Sequence, residues 1–154
     1  MWSDTLPEIA AIIADMRARA GRHGRTLRFG YRTHIVVRET DAGARAAATR
    51  LVSRLDAAEG EAIRNRSLDS TSAGVSRQAE LRDTSDDDGF TEEHLWTGIA
   101  RARSGCDAAI VGDPDQVVAK LRTCMALGID VFILSGYPHL AECDLVAEYG
   151  LSNL

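Results

Sequence analysis

Apolar residues recur along this chain at three spacings, and each spacing predicts a different kind of element. Ile9, Ile12, Ile13 and Met16 fall three or four apart, the period of an amphipathic helix. The preceding Thr5-Leu6-Pro7-Glu8 has capping-box spacing with Pro early in the first turn, so a first helix is predicted to about Gly21. Leu27 to Val37 alternates instead, with Leu27, Phe29, Tyr31, Thr33 and Ile35 on one face and Arg28, Gly30, Arg32, His34 and Val36 on the other. That is a strand with a cationic face. An alanine-rich second helix is expected from Thr40-Asp41 through Leu51, Val52 and Leu55.

The third spacing is the unbroken run. Ala108-Ala109-Ile110-Val111 and Val131-Phe132-Ile133-Leu134 suit parallel strands covered on both faces. Between them Asp113 reads as an N-cap, Pro114 as the first helical residue, Val117, Val118, Leu121, Cys124 and Met125 as a buried face, and Gly128 as a C-cap. A last helix is expected over about Leu140 to Tyr149. From Ser67 to Glu93 no apolar period survives, because Ser, Thr, Asp and Gly dominate and Asp86-Asp87-Asp88-Gly89 interrupts it. A long mobile insertion loop is expected there, followed by a short helix over about Glu92 to Ala102. The alternation of helices and strands implies right-handed parallel βαβ units. Three such strands are too few to close a barrel, so their outer edges need cover.

Composition narrows the class. A chain of 154 residues with a net charge of -5 and scattered arginines carries no nucleic-acid footprint. Lys120 is the only lysine. Cys106, Cys124 and Cys143 are odd in number and lack C-x-x-C spacing, which argues against a disulfide framework or zinc site and for a reducing, cytoplasmic compartment. No apolar run approaches the roughly 18 residues of a membrane span. No metal site is expected; Asp86 to Asp88 read as solvated loop charge.

The chemistry gathers where the last strand ends. Ser135-Gly136-Tyr137-Pro138-His139-Leu140 stops that strand and projects a phenol and an imidazole from a loop, at the edge where α/β proteins usually hold their sites. This segment, together with Arg28-Phe29-Gly30-Tyr31-Arg32-Thr33-His34, Val37-Arg38-Glu39-Thr40, Arg103-Ser104-Gly105, Val111-Gly112-Asp113 and Leu127-Gly128-Ile129-Asp130, resembles the carboxyl-terminal part of bacterial luciferase-like flavin monooxygenases. The two-component alkanesulfonate monooxygenases are the members it is most similar to.

The resemblance implies an α/β fold that is a partial (β/α)8 barrel, about the last three strands with their helices plus the insertion loop at 67–93, over residues 1–154. It implies a part of an enzyme that takes reduced FMN from a separate NAD(P)H-dependent reductase and uses O2 to cleave an alkanesulfonate to aldehyde and sulfite. Activity is then expected only with the missing barrel portion, by association with it or in a homo-oligomer. By the same resemblance Arg32, His34 and Tyr137 are the catalytic candidates and Arg103 a substrate or lid residue, while no residue is assigned to the flavin. Arg suits a sulfonate because it stays charged and donates two parallel hydrogen bonds. Each candidate also has a structural reading: Arg32 as an ion-pair partner, His34 as a core histidine, Tyr137 as a packed aromatic, Arg103 as a solvated charge. His139 reads equally as a helix cap. The alternatives are a non-catalytic truncated remnant or a luciferase-like monooxygenase with another substrate.

Overall fold

A computed structural model describes residues 1–66, 72–101, 106 and 108–154. Six α-helices among them are α1 (Leu6–Gly21), α2 (Asp41–Val52), α3 (Ala57–Arg66), α4 (Ala73–Asp83), α5 (Pro114–Leu127) and α6 (His139–Leu145). Five strands, β1 (Gly30–Val37), β2 (Phe90–Glu92), β3 (Leu95–Trp96), β4 (Ala109–Gly112) and β5 (Val131–Ser135), form one mixed sheet in the order β2-β3-β4-β1-β5.

The three expected parallel strands are present, with β1 paired in parallel to both β4 and β5. In a closed barrel each strand neighbours the next in sequence. Here β1 lies between β4 and β5, with Thr33 to Val37 buried without a break; β4 is buried throughout as well, whereas β5, expected to be covered on both faces, leaves one face open. The crossovers from β1 to β4 and from β4 to β5 run in opposite directions across the sheet, so right-handedness sends their helices to opposite faces. Accordingly, Ala44, Ala47 and Ala48 of α2 pack with Val36, Ala109 and Val111, while Ile9 and Ile13 of α1 and Val117 and Leu121 of α5 pack with Tyr31, Ile35 and Ile110 on the other side. The outer edge of β5 is unpaired among the described residues, and Val131 and Ile133 there are 44% and 55% exposed.

The best-encoded element is α5. Asp113 accepts from the Gln116 N–H at 2.9 Å while the Gln116 side chain accepts from the Asp113 N–H at 2.9 Å, and Gly128 ends the helix in the left-handed region at φ 112°. Thr40 caps α2 through the Gly43 N–H at 3.1 Å. The Thr5 side chain, by contrast, makes no cap bond. The first N–H of α1, on Leu6, finds Glu92 instead, at 3.0 Å.

The stretch expected as one long loop contains structure. Ser72 caps α4, whose Gln78 and Leu81 are buried, and Leu81 packs with Leu95 and Ala108. One apolar residue per turn suffices because a buried amide shares the inner face, its Gln78 Nε2 donating to the Ser3 carbonyl at 2.9 Å. The acidic cluster turns the chain: Asp86 Oδ1 accepts from the N–H groups of Asp88 and Phe90 at 3.0 and 2.8 Å. The helix expected over 92–102 is a β2–β3 hairpin followed by a 3₁₀ turn over Gly98–Arg101. His94, with φ 62°, makes the reversal, and Trp96 is fixed by its indole N–H donating to the Asp88 carbonyl at 3.1 Å. The last helix covers its expected length, its final turn over Val146–Gly150 being π in place of α. Among the described residues no helix is long and apolar enough to cross a membrane, none of the His, Cys, Asp and Glu side chains form a metal-binding group, and the cysteines are free.

Candidate active site

Parallel register carries Tyr137 to His34. His34 is opposite Ser135 across β1 and β5, so the chain leaving β5 has two residues in which to turn over the β1 face that His34 occupies. It does so through Gly136, and the Tyr137 ring comes to 5.5 Å from the His34 ring at an interplanar angle of 33°. His139, the first residue of α6, also meets the Tyr137 ring, edge-on at 4.8 Å. Pro138 holds the N-cap position with no side-chain cap bond, so His139 does not cap the helix. His34 is 1% exposed and Tyr137 half-buried, and the phenol packs against the cluster containing Val36 and Ala47. An imidazole and a phenol packed together at the carboxyl edge of parallel strands are two groups that can each hold a proton.

Arg32 stands on the same face of β1 two residues earlier, as alternation predicts. It does not share the burial of His34. The side chain is exposed and lines a cavity of about 740 Å³ with Trp2, Ile12, Gly74 and Ile133. Arg77 in the same wall is committed to Asp4 at 2.8 Å, which raises its pKa further. Among the described residues Arg32 has no carboxylate partner, which leaves its guanidinium available to an anion. Arg103 lies outside the described residues. The structure thus brings His34 and Tyr137 together and places Arg32 beside them, facing a separate opening.

The carboxyl edge has a second component that no local pattern announces. Arg38, directly after β1, donates through Nη1 to Glu142 Oε2 at 3.1 Å and through Nη2 to Glu142 Oε1 at 2.5 Å, a bidentate pair. Its partner is 104 residues away, so sequence spacing carries no signal of the contact. A further pair joins Lys120 of α5 to Glu92 of β2, and the Lys120 ammonium also donates to the Glu93 carbonyl at 3.0 Å.

A reduced flavin, implied by the resemblance, needs a slot for its ring and a cradle of N–H groups or cations for its phosphate. The described residues do not fit it. The N-terminus of α5 is closed by its own capping box, that of α2 by Thr40, and α6 places the Glu142 carboxylate at its start. The edge cations are engaged as well, Arg38 with Glu142 and Arg45 with Asp41 at 2.9 Å and the Phe90 ring at 4.2 Å.

Comparison with known proteins agrees with the barrel reading. A family model described as luciferase-like monooxygenase matches residues 1–131. A sulfoquinovose monooxygenase of Novosphingobium aromaticivorans is 62% identical over 154 residues, all of this chain and 42% of that protein. A sulfoquinovose monooxygenase of Agrobacterium fabrum is 51% identical over 144 residues, 94% of this chain and 37% of that protein. The chain therefore spans less than half the length of the curated relatives it matches.

Proposed function

The chain belongs to the luciferase-like monooxygenase family, and from that premise we propose that it supplies the carboxyl-terminal strands of a flavin-dependent enzyme that releases sulfite from a sulfonated substrate. The substrate we assign is sulfoquinovose, a sugar sulfonate, in place of the simple alkanesulfonate expected from the sequence motifs. The names of two relatives at 62% and 51% identity support that assignment. The single observation in this chain that carries a sulfonate reading is Arg32: a guanidinium without a carboxylate partner among the described residues, in the wall of a cavity of about 740 Å³, on the strand that also carries His34.

Arg32 would take the sulfonate by parallel N–H donation, and Trp2, Ile12 and Ile133 in the remaining wall offer apolar surface to the sugar ring. His34 and Tyr137, which do not line that cavity, are assigned to the neighbouring part of the site, where they would hold or exchange a proton, with Tyr137 covering His34 against water. Reduced FMN, delivered by an NAD(P)H-dependent reductase, and O2 supply the oxidising chemistry in this reading. The flavin grip belongs to the part of the relatives' length that this chain does not span, and the unpaired edge of β5 offers that part a strand to pair with. Arg103 is assigned to substrate closure in the same reading, and three free cysteines accord with a reducing cytoplasm.

The test is reconstitution. The chain is co-produced with the remaining portion of the Novosphingobium relative and sulfite release is measured with reduced FMN, O2 and either sulfoquinovose or octanesulfonate. Sulfite from sulfoquinovose with the reconstituted pair, and none with the chain alone, is the expected result. Preference for octanesulfonate would overturn the substrate. Absence of sulfite from both would favour the non-catalytic reading, which the lack of a flavin seat among the described residues also motivates.

A further inference from the structure

The loop carrying Tyr137 is anchored by the phenol itself, which packs against the cluster containing Val36 and Ala47, and the next apolar anchors are Leu145 and Val146 at the far end of the helix after it. In α6, which follows it directly, Leu140 is 79% exposed and Glu142 is the one buried residue. The first turn of α6 therefore has a carboxylate as its inward contact, and the group that pairs with it is Arg38. Its guanidinium is fixed in turn, Nη1 donating to the Val37 carbonyl at 2.6 Å, and its backbone N–H donates to the Gly112 carbonyl at 3.3 Å. The other end of the loop is equally confined. A Cβ on Gly136 would lie 2.5 Å from the Glu142 Cβ and 3.4 Å from the Ile35 carbonyl oxygen, so glycine alone lets the exit of β5 pass between β1 and α6. Tyr137 and Pro138 are the two residues between this pinch and α6, and the Tyr137 ring reaches His34, four residues before Arg38 in the chain.

We propose that the Arg38–Glu142 ion pair is a positioning latch that holds Tyr137 over His34. A buried pair is a poor source of net stability, because desolvation offsets the attraction, but its two-pronged geometry permits one arrangement of the groups it joins. Arg38 and Glu142 are thus positioning residues acting through Tyr137. That Tyr137 belongs to an active site rests on the proposed function; the latch itself is read by a ring contact that needs no turnover.

The experiment is NMR on the chain with labelled histidine and tyrosine, following the nuclear Overhauser contact between the His34 and Tyr137 rings. The edge-on Tyr31–Phe132 contact, 6.0 Å between centroids on the opposite face of β1, reports the intact sheet. In Arg38→Met, and in the apolar double variant Arg38→Met/Glu142→Met, the His34–Tyr137 contact is expected to disappear while Tyr31–Phe132 remains. The His34 ring signals should move toward their positions in Tyr137→Leu. Arg38→Lys, which keeps the charge and loses the fork, should weaken the contact without abolishing it. Retention of His34–Tyr137 in the folded double variant overturns the proposal. So does loss of both contacts in both Met variants, which would make the pair a general stability element. In the reconstituted enzyme the same variants should lower kcat more than they raise KM for sulfoquinovose. If no sulfite is released at all, the functional reading fails while the ring contact still decides the latch.

Discussion

Replacing Lys120 by Met should be among the most damaging single changes outside the apolar core. Lys120 is 7% exposed and its partner Glu92 is 18% exposed. The pair joins three elements, since Glu92 also accepts the first N–H of α1, on Leu6, at 3.0 and 3.3 Å. Met preserves most of the lysine stem, so the loss is electrostatic. Removing one partner of a fully buried pair typically costs about 3–5 kcal/mol. Water reaching Glu92 and the bonds it keeps to Leu6 reduce that, and a loss of about 2–3 kcal/mol is expected. Removing both charges, in Lys120→Met/Glu92→Leu, should recover much of it, short of about 1 kcal/mol for the Leu6 N–H left without an acceptor. Equilibrium urea unfolding of the four proteins gives the coupling energy directly. A loss below about 1 kcal/mol in Lys120→Met, or a double variant as unstable as the two singles summed, would refute the reasoning that this pair is a buried, mutually dependent unit.

Other outcomes follow from particular contacts. Gly98→Ala would set a Cβ 2.1 Å from the Trp96 indole, which is 4% exposed and cannot yield freely, so a loss of about 1–3 kcal/mol and a shifted tryptophan emission are expected; unchanged emission and stability would contradict the packing. Burial pushes the Cys124 thiol up to about 11 and raises the Tyr31 phenol. Above about pH 9 the unfolded chain then gives up the thiol proton first, and stability falls as pH rises toward about 11, by a limit of order 2 kcal/mol for the thiol. Urea midpoints for Cys124→Ala should decline less steeply between pH 9 and 10 than those of the native chain; parallel slopes would remove the thiol from the account. In the reconstituted enzyme Arg32→Ala should cut sulfite release at least tenfold and Arg28→Ala, an exposed residue before β1, under twofold; equal effects would take Arg32 out of the site.

Local pattern carried the elements whose instructions lie within a few residues. The Asp113 and Gln116 reciprocal cap, Pro114 and Gly128 specify α5 from one end to the other, and the apolar runs specify β4 and β5, because caps and strand burial act through neighbouring backbone. Alternation likewise put Arg32 and His34 on one face of β1, and the Ser-Gly-Tyr-Pro-His-Leu motif placed Tyr137 at a strand end. Only tertiary structure decided the rest. The Glu92 to Ala102 stretch has a helical count of apolar residues, yet Leu95 and Trp96 form a strand because β4 offers them an edge. In α4, which looked like loop, a buried Gln78 bonded to Ser3 75 residues away substitutes for an apolar turn. The strand order, which sets β1 between β4 and β5, rests on pairing between segments far apart in the chain, and that is a property of the whole sheet. Arg38 with Glu142 and Lys120 with Glu92 are separated by 104 and 28 residues, and charges so far apart in sequence meet only because the backbone between them has already packed. Sequence therefore placed candidate side chains at the carboxyl edge, while the fold decided which of them meet, setting Tyr137 against His34 and sending Arg32 to an opening of its own.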